Sequence, residues 1–155
     1  MISIRKATHA DMSAVVAFAK RKLEGSTYDG VPFNAVIARR TVKRALEDGD
    51  ARVYVATREG ELCGFIIGEI GPMPMSHHMG ASDLAFLADA GGDLLVDEFI
   101  HWCRLRKVAR IAMGVSASTA APRSTRFFRR KGFSEGGGLF YMNLLDEQQH
   151  EREVA

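Results

Sequence analysis

A single domain built on a mixed α/β sheet, in the order β-α-α-β-β-β-α-β-α-β, is the fold class the sequence predicts. Three observations predict it. Stretches with period-two alternation, such as Arg52 to Thr57 (RVYVAT), stand among stretches where apolar residues recur every three or four positions. The turn Arg58-Glu59-Gly60-Glu61 is short enough to join two strands antiparallel. Farther on, a strand, a glycine pair, an amphipathic helix and a strand follow one another. Such a β-α-β unit places its two strands parallel with a right-handed crossover.

Ile2 to Arg5 alternates as a short strand. Thr8, with Asp11 three residues on, has the form of a capping box and opens a helix. Met12, Val15, Val16, Ala19 and Leu23 then recur at helical spacing and give that helix one apolar face. Gly25 to Pro32 (GSTYDGVP) is a turn-rich loop. A second helix is expected from Phe33 to Glu47, with Ala38, Val42, Ala45 and Leu46 on one stripe and Gly49-Asp50 after its end. Leu62 to Ile70 is the third strand. Gly71 to Gly80 is expected to be irregular, because Pro72 and Pro74 cannot donate to a ladder.

Ser82 to Leu87 is the fourth strand, and Gly91 to Lys107 a helix with Leu95, Phe99, Trp102 and Cys103 on one side. A strand from Arg110 to Val115, a helix from Pro122 to Lys131 and a closing strand from Leu139 to Leu145 complete the domain. The domain is read as residues 1–145, and DEQQHEREVA (146–155) as a charged, fraying tail.

A chain of 155 residues is long enough to bury a core without staples, and 46% hydrophobic with 26% charged residues describes an ordinary globule. Its 21 Lys plus Arg against 19 Asp plus Glu give a formal charge of +2. That near-neutral total argues against nucleic acid or a membrane surface as partner. Solvated helix faces account for the basic runs RLRKVAR and RSTRFFRRK. No apolar run approaches the roughly 18 residues of a membrane span, and the first segment has no leader-like apolar region. Cys63 and Cys103 lack CxxC spacing and read as buried, reduced thiols, so the expected compartment is the cytoplasm. His77 and His78 are adjacent, point apart and have no third ligand at suitable spacing, so no metal site is expected.

Gly91-Gly92 lies between a strand end and a helix start, where bare amides can cradle a pyrophosphate or simply form a tight turn. A basic helix ending in FFRRKGF (Phe127 to Phe133), followed by the aromatic strand Phe140-Tyr141-Met142, closes the domain. Together with the β-α-β unit, this arrangement resembles the GNAT (N-acetyltransferase) family over nearly the whole chain. Ile4 to Thr8 with Asp11, Val53 to Ala56, Gly64 to Gly68, Asp83 to Leu87 and FFRRKGF are the segments that carry the likeness.

The resemblance implies a V-shaped splay between the fourth and fifth strands, with the pantetheine of acetyl-CoA in the gap. Leu84, Ala85, Phe86 and Leu87 would then offer it backbone groups. Gly91, Gly92 and Asp93 would supply the pyrophosphate amides, with Arg123 and Arg126 as compensating cations. It further implies direct acetyl transfer to a small-molecule or protein amine, with Glu69 or Asp83 as proton acceptor and Tyr141 as substitute proton donor.

The sequence departs from the family pattern at two places. The pyrophosphate loop, Ala88 to Asp93, is about two residues short and contains carboxylates where a cation is usual, and Phe128 stands where the family places a Tyr. The shortened loop also resembles small GNAT-like proteins of bacteriophages. A catalytically reduced scaffold is therefore the alternative expectation: a homo-oligomer or a virion or assembly component.

Overall fold

The computed structural model describes residues 1–24, 28, 30–114, 121–138, 140 and 142–155. Five strands form one sheet in the order β1-β2-β3-β4-β5: β1 (Ile2–Lys6), β2 (Ala51–Arg58), β3 (Glu61–Pro72), β4 (Met79–Ala88) and β5 (Arg110–Ala112). The first four are antiparallel to their neighbours, and β4 with β5 is parallel. Helices α1 (Met12–Leu23) and α2 (Ala35–Glu47) lie on one face, and α3 (Gly92–Leu105) lies on the other. Two further helices follow β5: α4 (Ala121–Arg130) and α5 (Leu145–Val154).

Strand alternation sorts the core into two layers. Val53, Val55, Phe65 and Ile67 face α1 and α2, meeting Val15, Phe18, Val42 and Ala45. Ala56, Ile66, Ile70 and Ala81 face α3, meeting Leu95, Phe99, Trp102 and Cys103. The stripe expected on α3 packs as a whole, and on α2 Val42, Ala45 and Leu46 of the expected stripe pack while Ala38 stays half-buried outside the core cluster. On α1 the periodicity reading omitted Phe18, which is buried edge-to-face against Phe65 at 6.0 Å.

Thr8 and Asp11 do form a capping box, but its first turn, His9–Asp11, is 3-10 and α1 begins at Met12. The second helix starts at Ala35 rather than Phe33, because the Asn34 side chain accepts hydrogen bonds from the Val36 and Ile37 amides at 3.0 and 3.1 Å. Strand β3 runs through Pro72, which pairs with Met79. The prolines therefore confine the irregular segment to the tip of a long β3–β4 hairpin, since a strand's last residue need not donate to the ladder.

Two expectations at the C-terminus change. The described residues between 139 and 144 carry no strand, and the tail expected to fray is α5. Val115 and residues 25–27, 29, 139 and 141 of the predicted elements lie outside the described residues. Cys63 is half-buried rather than interior, and Cys103 is fully buried; both are free thiols.

Candidate active site

The parallel pairing of β4 with β5 has three rungs, Gly80 with Arg110, Ala81 with Ile111 and Ser82 with Ala112. Beyond Ser82, β4 continues to Ala88 with β3 on one side and no described strand on the other. At the point of divergence the Asp83 carboxylate accepts a hydrogen bond from the Gly114 amide at 3.2 Å, so a side chain spans the gap where a backbone rung would otherwise be. Burial pushes this carboxyl above the ordinary aspartate range, against the opposing pull of the Gly114 amide. Immediately beyond, the β3–β4 register shifts between Ile67 and Gly68, and Leu84 is left without a partner. The bulge turns the strand just where its described pairing with β5 ends.

That edge leads to the N-terminus of α3. Gly91 sits at φ 75°, and a Cβ there would lie 2.9 Å from Ile2 Cγ2 and 3.1 Å from the Ala56 Cβ. Both backbone sign and packing therefore demand glycine, so the turn reading of this residue holds in its own right. The first-turn amides of α3 have no side-chain cap, and such amides have no acceptor inside the helix. Gly92 is closer to the exposed edge: a Cβ there would approach Phe86 Cζ at 3.2 Å. Asp93 occupies the first turn with its side chain exposed.

Phe86 also meets Phe128 of α4 edge-on at 6.4 Å. Phe128 belongs to a closing motif that FFRRKGF encodes. The Phe133 amide donates to the Phe128 carbonyl, the Gly132 amide donates to Arg129, and Gly132 has φ +92°. With the Phe128 and Phe133 rings 5.4 Å apart, this is a Schellman cap with its hydrophobic contact. Lys131 holds Asp97 of α3 at 2.8 Å and fixes the end of α4 against that helix. Arg123 and Arg126 are exposed on the opening turns of α4.

Sequence reasoning missed two cations here. Arg21 (2.9 Å) and Lys22, at the end of α1, both pair with Asp89, so the loop's acidic residue is neutralised from another element. These partners hold the Asp89 carboxyl below its usual range, Lys22 foremost. A separation of 68 positions leaves no local signal for the pairing.

The two carboxylates expected as proton acceptors are not brought together. Glu69 pairs with Arg44 of α2 at 3.3 Å, on the α2 face of the sheet. Asp83 follows the alternation of Ala81, on the α3 face, and is engaged by Gly114. Glu69 lines a cavity of about 490 Å³ with Arg44, Asp48, Met73, Ser82 and Arg110 among its walls. Because Ser82 and Ala112 also line it, this cavity touches the apex of the splay from the side opposite α3. Tyr141 lies outside the described residues. Among the described residues, no cluster of His, Cys, Asp and Glu is arranged to hold a metal ion, and no helix is long and apolar enough to cross a membrane.

This architecture recurs in solved structures. A transcriptional regulator from Bacillus halodurans superposes with a TM-score of 0.71 at 22% identity, covering 92% of this chain and 99% of that one. A predicted acetyltransferase from Clostridium acetobutylicum, solved with acetyl-CoA, gives 0.72 at 16% identity, covering 94% and 98%. AAC(6')-Iy, in complex with the bisubstrate analogue CoA-S-monomethyl-acetylneamine, gives 0.71 at 13% identity, covering 92% and 97%. Likeness at these identities is one of fold. No curated protein sequence matches the chain. Residues 3–129, however, match the acetyltransferase (GNAT) domain family, a span that includes all of β1 but Ile2, β2 through β5, the splay and all of α4 but Arg130. The chain therefore belongs to the GNAT acetyltransferase family.

Proposed function

We propose that this protein transfers an acetyl group from acetyl-CoA directly to the amine of a small molecule or protein. The observation that carries the reading is the outer edge of β4 from Asp83 to Ala88, which no strand among the described residues pairs and which ends at the uncapped start of α3. At roughly 3.3 Å per residue that edge is about 17 Å long, a fit for an extended pantetheine arm. The backbone of Leu84, Ala85, Phe86 and Leu87 would hold the arm. The first-turn amides from Gly92 and Asp93 would hold the pyrophosphate, with Gly91 shaping the turn and Arg123 and Arg126 adding positive charge. Acetyl-CoA supplies an activated acyl group. The acceptor nitrogen forms the new C–N bond as the C–S bond breaks, the nitrogen loses a proton, and the thiolate takes one up.

Geometry favours Glu69 over Asp83 as the proton acceptor. Glu69, though paired with the exposed Arg44, lines the cavity at the apex, whereas Asp83 lies on the opposite, α3 face of the sheet and accepts from the Gly114 amide. Asp83 is then a positioning residue that keeps the strands apart.

Titration calorimetry tests the donor half. Wild type should bind acetyl-CoA with a micromolar Kd, and Gly92→Asp should abolish binding through clash with Phe86 and added negative charge. No heat at millimolar acetyl-CoA would sink the reading and leave a scaffold without this activity. Glu69→Gln should bind acetyl-CoA normally while losing about 100-fold in turnover.

A further inference from the structure

Of the two arginines lining the apex cavity, one has no side-chain partner among the described residues. Among its carboxylates, Asp50 is held by Arg106, Glu69 by Arg44, and Asp48 accepts the Asp50 amide at 2.8 Å. Arg44 is itself occupied with Glu69. Arg110, on β5, is exposed, and its guanidinium has no hydrogen-bond or ion-pair partner among the described residues. Alternation puts it on the same face as Ala112, two residues or about 7 Å from the last rung before the splay. Ile70, Pro72 and Met73 give the cavity an apolar wall beside it.

We propose that the acceptor is an amine that also carries an anionic group, a carboxylate or a phosphate monoester, clamped by the Arg110 guanidinium. A guanidinium presents a planar fork of donors suited to either oxyanion, and a bidentate pair fixes orientation as well as adding affinity. With the anion at Arg110, the rest of the molecule runs along β5 toward Ser82 and Glu69, which places its amine at the apex. This rests on the acetyl-transfer reading and adds the acceptor's second functional group to it.

Binding to the protein alone is measured first, by ligand-observed magnetic resonance, with two matched pairs: lysine against lysinamide, and O-phosphoethanolamine against ethanolamine. The anionic member of at least one pair should bind at least tenfold more tightly, and which pair does so tells carboxylate from phosphate. Arg110→Gln should remove that preference, and Arg110→Lys should restore part of it. Turnover with acetyl-CoA should show the same tenfold difference in KM with kcat little changed. Equal binding of charged and neutral partners, or an Arg110→Gln protein that keeps the preference, would overturn the proposal. Selective binding without any acetyl transfer would uphold the anion site and refute the activity, so the two failures are distinct.

Discussion

Asp11 receives more hydrogen bonds than any other described carboxylate. Both terminal nitrogens of Arg5 donate to it at 2.8 Å, and the Thr8 amide donates at 2.8 Å, which together hold its pKa down to about 2, Arg5 foremost. Because the folded pKa lies below the ordinary 3.8, the stabilisation is complete above about pH 4 and disappears as pH falls through 2. Asp11→Asn should therefore cost on the order of 1–2 kcal/mol at pH 6 and almost nothing at pH 2, as urea denaturation at the two pH values would show. A constant penalty would mean that shape, not charge, matters there. Cys103 is the converse case. It is wholly buried, and desolvation pushes its thiol up to about 11. A thiol reagent should leave it unmodified in the folded protein and label it on unfolding; rapid labelling at Cys103 in the native state would contradict the packing of α3.

Two elements depend on an absent side chain. Gly68 of β3 lies under α3, where a Cβ would be 2.1 Å from Phe99 Cε2. Phe99 is itself fully buried and cannot swing away, so Gly68→Ala should cost about 3 kcal/mol in a thermal or urea melt. Gly132 differs, because a Cβ there meets nothing within 4 Å and only its φ of +92° opposes substitution. Gly132→Ala should cost about 1 kcal/mol, by weakening the cap of α4. The cap was legible in FFRRKGF, since Gly at C′ and the two flanking aromatics are local signals. The stripes of α2 and α3 were legible for the same reason, being written at period 3.6. The passage of β3 through Pro72 was not, because it depends on the pairing with Met79 across the hairpin. Nor was the absence of strand among the described residues between 140 and 144, where Phe140, Met142 and Leu144 alternate as a strand would yet are exposed.

At the level of the molecule, the segment proposed to hold the donor is contiguous in sequence and the wall proposed to hold the acceptor is not. A strand, two glycines and a helix are contiguous, whereas Arg44, Glu69 and Arg110 come from three elements and share a wall only after the chain folds. The same limit hid Arg21 and Lys22. Phe128 poses the clearest test of chemistry in place of fold. Its ring is nearly buried against Phe86 beside the splay and has no proton to give. Phe128→Tyr should raise kcat roughly tenfold in steady-state assays if protonation of the departing thiolate limits turnover, with acetyl-CoA affinity unchanged. An unaltered rate would mean that solvent already performs the task.

The sheet separates the uncapped start of α3 from the cavity beside Glu69, so the sites proposed for donor and acceptor would have separate entrances, neither blocking the other's path. Initial-velocity plots should intersect to the left of the ordinate, and the order of addition should be random. An inert analogue of either substrate should then act noncompetitively toward the other.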